Sequence, residues 1–262
     1  MKKNLSPWIH QLRKDRQSVA LHADIETDVA VVGAGIAGVS SAFFALKYTD
    51  KNVVMVDRFK LAYGATGHNA GMVLSDFERG FASLVEEFGL ELAREGQKEI
   101  DDAWGLIDEM YTDAHLSISF SRFLGYDGFS KSDQVVSCLK NNFYRRKAGL
   151  YTEKVFIAEN ADFLHQIPDE YEDLYTTVSM DEIFSLLETK EKSFIAAASI
   201  QIGSINSALF CEEVLLYLLK KYPQRFSFYE HTPIRKLVLK ENEAILDADI
   251  CTITASKVIL CT

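Results

Sequence analysis

Long hydrophobic runs are missing from this 262-residue chain, and no stretch is apolar for the length a helix needs to cross a bilayer. Cysteine is scarce: residues 138, 211, 251 and 261 lie far apart and form no CxxC pair. That spacing argues against a zinc knuckle or a disulfide framework and fits buried thiols in a reducing cytoplasm. Positive charge is in deficit, with 28 Lys and Arg against 38 Asp and Glu and a formal net charge of −10. Such a surface repels phosphate backbones and anionic lipid, so nucleic acid is a poor partner. The start, MKKNLSPWIHQLRKDRQ, opens on two lysines, but no apolar segment or small-residue cleavage site follows, which argues against a secretory signal. Internal repeats and low-complexity segments are also lacking. What remains is a globular composition, 48% hydrophobic, able to bury a sizeable core.

The stretch TDVAVVGAGIAGVSSAFFALKYTDKNVVMVDR reads as strand, tight turn, helix and strand. Val29 to Val32 are continuously apolar, as in a parallel strand covered on both faces. Ile36, Val39, Phe43 and Leu46 recur at helical spacing, and the β-branched run VVMV supplies the second strand. A parallel pair joined by a helix is a right-handed βαβ unit whose ligand crevice lies beyond the strand C-termini.

Within it GAGIAG, Gly33 to Gly38, is a G-x-G-x-x-G that follows a strand and opens a helix, answered by Asp57 at the end of the next strand. Gly33 permits the tight turn, Gly35 lets the backbone approach a pyrophosphate, and Gly38 lets helix and strand pack closely. Amide hydrogens at the helix N-terminus face the phosphates, and Asp57 would accept from an adenosine ribose. This context leaves NAD and FAD both open. A loop of small and polar residues then follows, YGATGHNAG from Tyr63 to Gly71, which is either a plain turn or the lining of a site.

The glycine fingerprint, the acidic strand end and this loop, matched in order, resemble the FAD-dependent oxidoreductases of the D-amino-acid oxidase and glycine oxidase family. That family includes sarcosine oxidases, dimethylglycine dehydrogenase and gamma-glutamylputrescine oxidoreductase. The resemblance implies a Rossmann-like α/β FAD-binding domain of the glutathione-reductase type with an inserted α+β substrate domain. It implies FAD held by Gly33, Gly35, Ile36, Ala37, Gly38, Asp57 and Arg58, with Thr66, Gly67, His68, Asn69, Ala70 and Gly71 as a second wall. Thr66 and Asn69 would be the polar contacts, and Gly67, Ala70 and Gly71 would be small enough to admit the ring system. His68 has three readings: a covalent 8α-histidyl bond to FAD, a noncovalent contact, or a solvated loop residue. HTPIRKL resembles a family strand whose apolar residue, here Ile234, meets the adenine through its backbone. KVILCT resembles the strand usually ending A-T-G, placing Thr262 at the threonine.

The implied activity is oxidation of an amine or amino-acid C–N bond, with hydride passing to flavin N5 and oxygen or another acceptor taking the electrons. The alternatives are an NAD(P)-dependent dehydrogenase and a noncatalytic nucleotide-binding domain. No catalytic residue is assigned and no metal site is expected; Tyr126 is a weak candidate for substrate contact. The expected division is an extension at 1–23, an FAD-binding part at 24–112, an inserted domain at 113–203 and a second FAD-binding part at 204–262. The final strand-like run stops at Thr262 without covering elements, so the chain reads as the N-terminal portion of a longer cytoplasmic protein that alone would hold FAD poorly. Glu86, Glu87, Glu91, Glu95 and Glu99 read as a solvated helix face, and Arg145, Arg146 and Lys147 as the cationic last turn of a helix.

Overall fold

The computed structural model describes residues 6–262; Lys2 and Lys3 lie outside the described residues. In chain order the elements begin with α1 (Pro7–His10), β1 (Ile25–Val32), α2 (Ile36–Tyr48), β2 (Val53–Val56) and a short 3-10 turn over Ala65–His68. Then come β3 (Met72–Val73), α3 (Phe81–Phe88), α4 (Leu90–Ala114), β4 (Phe120–Phe129), α5 (Ser132–Lys147) and β5 (Val155–Ala158). After two further 3-10 turns follow β6 (Tyr175–Val178), α6 (Met180–Leu186), β7 (Ala196–Ile205), α7 (Ser207–Lys221), β8 (Phe226–Tyr229), β9 (Lys236–Leu239), β10 (Ala244–Asp247) and β11 (Thr252–Leu260).

The chain divides into two units, residues 1–72, 108–120 and 205–262 in the first, and 73–107 and 121–204 in the second. The first is built on a six-stranded sheet in the order β8-β2-β1-β11-β10-β9. β8, β2, β1 and β11 run parallel, and β10 and β9 continue the sheet as antiparallel strands. Of the apolar run Val29 to Val32 in β1, Ala30, Val31 and Val32 are buried and Val29 is partly so, and every residue of β2 is buried. Ala30 and Val32 belong to a core with Val54, Val56, Leu246, Ile253 and Leu21. Val31 instead lies under Gly38 of α2, where a Cβ would approach its side chain at 3.4 Å. Phe43 on α2 meets Tyr217 on α7, their ring centroids 5.9 Å apart.

The last turns of α4 join this unit through charge. Lys47 on α2 reaches Glu109 at 2.5 Å and Asp113 at 2.6 Å. Glu213 on α7 then accepts from the Ser117 amide and hydroxyl, both at 2.6 Å.

The second unit has its own core between α5 and a sheet ordered β3-β7-β5-β6, with β4 also paired to β7. Val135, Cys138 and Leu139 pack on Val155, Ile157, Ala196 and Ala198. A smaller cluster of Phe81, Leu84, Ala93 and Ala148 fixes α3 and the start of α4 to the end of α5. This is why residues 73–107, given by sequence to the FAD-binding part, group with the second unit. Glu86, Glu87, Glu91, Glu95 and Glu99 on α3 and α4 are exposed, and Arg145 to Lys147 close α5 as its basic last turn. Cys138, Cys211 and Cys251 are buried free thiols, whereas Cys261 is only partly buried, which corrects the expectation for that residue. No described helix is long and apolar enough to cross a membrane.

Candidate functional site: the turn after β1 and the loop over it

The first strand hands over to α2 through three residues whose backbone leaves no room for larger ones. Gly33 has φ of +107°, and a Cβ there would run into the carbonyl of Cys261 at the end of β11. At Gly38 a Cβ would strike the carbonyl oxygen of Gly33, which is the close helix–strand approach expected. No side chain caps α2 from Gly35, and among the described residues no hydrogen bond takes up the amide hydrogens of Ala37 and Gly38. The first N–H groups of a helix lack internal partners and attract anions. The glycine cradle and these open donors therefore fit the pyrophosphate of a dinucleotide.

Asp57 stands beside this turn. Its carboxylate accepts from the Ala34 amide at 2.8 Å and the Phe59 amide at 2.7 Å, so it ties the end of β2 to the glycine turn. Each carboxylate oxygen retains a further lone pair for a ribose hydroxyl. Arg58 is exposed, its guanidinium 4.9 Å from the Phe59 ring centroid.

The loop at 64–71 lies over the same turn and has two sides. Thr66 is buried and its hydroxyl accepts from the Ile36 amide at 2.9 Å, capping α2 from a separate segment. A Cβ on Gly35 would sit 2.8 Å from that hydroxyl. Gly67 and Gly71 are also buried, and their closest neighbours belong to the chain itself. A Cβ on Gly67 would lie 2.6 Å from Ile9, and one on Gly71 would lie 2.6 Å from the Ile205 carbonyl.

Asn69 uses its amide to fold the loop, donating to the Thr66 carbonyl at 3.0 Å and accepting from the Gly71 amide at 2.8 Å. His68 and Ala70 face outward. The His68 Nδ1 lies 2.9 Å from the Gly64 carbonyl; in the neutral ring it is then the N–H, leaving Nε2 free. Thus Ile36, Ala37, His68 and Ala70 present surface, while Thr66, Gly67, Asn69 and Gly71 build what holds it.

Ile234 is not in a strand, correcting that part of the expectation. It lies in the segment before β9, just past Thr232, whose amide donates to the Asp57 carbonyl at 2.8 Å. Pro233 explains the break, because a ring nitrogen without a hydrogen cannot join a ladder. Thr262 follows Cys261, whose amide donates to the Val32 carbonyl at 2.8 Å, so the chain passes directly by the glycine turn.

Two supports escaped the sequence reading. Ser207, the first residue of α7, donates to the Thr66 carbonyl at 2.6 Å and to Asn69 Oδ1 at 3.1 Å. Glu230, only 1% exposed, accepts from the Leu61 amide at 2.8 Å and pairs with Arg16. Burial pushes the Glu230 carboxyl up, but hydrogen bonds from Arg16, Ser18 and the Leu61 amide outweigh it and hold it below its usual range. Nothing in the local pattern around Ser207 or Glu230 distinguishes them from surface residues.

The second unit holds a separate cavity of about 700 Å³, which shares no residue with this site. Trp104, Leu124 and Ile202 wall it, and Arg145, Asp76 and Glu153 line it as well. Burial pushes both carboxyls up while Arg145 pulls them down. Among the described residues no group of His, Cys, Asp or Glu could hold a metal ion.

Comparison with known proteins agrees with this geometry. The Rieske 2Fe-2S iron-sulfur protein YhfW of Bacillus subtilis is 31% identical over 98 residues, 36% of this chain and 19% of that protein. Gamma-glutamylputrescine oxidoreductase of Escherichia coli is 32% identical over 74 residues, 28% of this chain and 17% of that protein. The crystal structure of glycine oxidase from Geobacillus kaustophilus superposes with a TM-score of 0.63 at 16% identity, covering 91% of this chain and 55% of that one. At that identity the likeness shows the fold: mixed α/β with a parallel sheet. The chain thus spans about half the length of that oxidase. Residues 28–138, which include the glycine turn, Asp57 and the whole 64–71 loop, match the model of the DAO family, described as FAD dependent oxidoreductase.

Proposed function

We propose that the protein of which this chain is the dinucleotide-binding portion oxidises an amine or amino acid at its C–N bond. The observation that carries the reading is the joint structure of the glycine turn and the 64–71 loop. A helix N-terminus with open amide donors is overlaid by a second segment whose outward residues are small or, at His68, basic. A nicotinamide site needs only the first of these. The glycine oxidase and gamma-glutamylputrescine oxidoreductase resemblances support an amine or amino-acid substrate.

The residues would hold the cofactor as follows. Ala37 and Gly38 donate backbone hydrogens to the pyrophosphate, Asp57 accepts from the ribose, and Thr66 holds the loop against Ile36 so that His68 and Ala70 face the ring system. When bound, the flavin supplies at N5 the hydride acceptor for the C–H bond next to the substrate nitrogen, leaving a substrate imine for water to hydrolyse. His68 Nε2 stands free for a contact or a covalent bond.

The test is the visible absorption spectrum of the purified protein, repeated on pellet and supernatant after acid precipitation. A two-banded flavin spectrum bleached anaerobically by an amine or amino acid is the expected result. Colour in the pellet would assign a covalent bond at His68, and colour in the supernatant a noncovalent contact. A colourless protein that also fails to take up added FAD would overturn the reading.

A further inference from the structure

The face of the 64–71 loop turned away from the glycine turn is covered by the chain's own beginning. Ser6 caps α1, accepting from the Ile9 amide at 3.2 Å, and its hydroxyl also donates to the Gly67 carbonyl. Trp8 donates its indole Nε1–H to the Asn69 carbonyl at 2.7 Å and lies against Gly71. Ile9, 3% exposed, fills the space beside Gly67 that a Cβ would take. Three of the first four described residues thus grip the loop at three of its last five positions.

The strap is anchored further on. The Arg13 amide donates to the buried Glu212 carboxylate on α7 at 3.1 Å. Arg16 pairs with Glu230, the same carboxylate that takes the Leu61 amide, and the Leu21 amide donates to the Thr232 hydroxyl at 3.1 Å. The segment from Ser6 to Leu21 therefore straddles the connection from β2 to β3.

We propose that Ser6, Trp8 and Ile9 are positioning residues for the cofactor: α1 clamps the 64–71 loop in the shape that presses Thr66 onto the Ile36 amide. Docking of the N-terminal segment and FAD affinity are then two readings of one equilibrium. This rests on the FAD reading above for its ligand, but not for its mechanics. A loop of glycines, alanine and short polar residues has no apolar anchor of its own, and ordering it before binding removes an entropic cost from cofactor association. The loop's carbonyls at 67 and 69 point to the strap while the Thr66 hydroxyl points to the glycine turn, so one side is held and the other presented.

The decisive experiment uses Trp8→Phe, which keeps a ring against Gly71 and removes the indole donor, and Ser6→Ala, which removes the bond to Gly67. Hydrogen exchange is followed at the Gly67 and Gly71 amides, with β1 and β2 as internal controls, and FAD is titrated by flavin fluorescence. Faster exchange confined to the loop is expected, with FAD affinity weakened by about tenfold or less, the range of one hydrogen bond. Wild-type loop exchange in both variants would overturn the clamp. Faster loop exchange with unchanged FAD affinity would overturn its role in positioning. If no form takes up FAD, the functional reading falls and so does the cofactor role, while the exchange data still decide whether the strap holds the loop.

Discussion

At the scale of single residues the loop from Gly64 to Gly71 shows that glycines a few positions apart serve different ends. Gly64 has open space around it and a φ that any residue adopts, so Gly64→Ala is expected to stay within about 0.5 kcal/mol of the parent. Gly67→Ala forces a methyl into the Ala62 carbonyl and Ile9, and is expected to cost about 1–3 kcal/mol by overpacking. Urea denaturation of the two variants checks both, and equal losses would contradict this assignment of space. The motif made the close backbone approaches at Gly33 and Gly38 legible, whereas the neighbour of Gly35, the Thr66 hydroxyl, comes from a separate segment. Gly67 and Gly71 were not legible in the same way: their neighbours, Ile9, Trp8 and Ile205, lie far off in sequence, so no local pattern distinguishes a glycine pressed by protein from one left small for a ligand.

Among the elements, those with strong periodicity or caps were readable. The helix α7 begins where Asn206 announces it, the side-chain oxygen accepting from the Ala208 and Leu209 amides at 3.1 Å each, and its last turn carries Lys220 and Lys221. Asn206→Ala is expected to remove about 1 kcal/mol, read as a lowered thermal midpoint. The variant also bears on the site, because Ser207 beside it holds Thr66 and Asn69. Several strands were hidden. β5 and β6 are four residues each within an acidic irregular stretch, and β7 opens on three alanines, residues poor in β propensity that tertiary packing against Val155 and Ile157 places in a sheet. The hairpin between β10 and β11 turns at Asp249, with φ of +67°, so a turn without glycine went unread, although aspartate tolerates that region. β11 beyond it is one strand from Thr252 to Leu260, longer than the run KVILCT suggests.

Taken as a whole molecule, the first unit is held by groups far apart in sequence, and its acid response follows from one of them. Glu230 is ionised and paired in the folded protein, with its carboxyl held below the ordinary value of 4.5. A lowered folded value contributes stability that is fully present above 4.5 and fades as pH falls through the folded value, since the unfolded chain then binds the proton first. The expected result is a stability profile that declines below about pH 4.5, with the decline flattened in Glu230→Gln; an unchanged slope in urea titrations would refute it. Lys47 and Glu109 show no sequence sign of meeting, and their pairing ties the last turns of α4 to the first unit, with which residues 108–120 group. The pairing of β1 with β11, from Ile25 opposite Ile253 to Val32 opposite Leu260, also bears on biosynthesis. The glycine turn is finished by the Cys261 backbone, so on a ribosome its βαβ unit is made long before the strand that walls it. A cofactor pocket closed by such a distant pairing pays a large loop-closure entropy and forms late. An emerging chain that has not yet reached residue 261 therefore has an incomplete glycine turn to offer a dinucleotide.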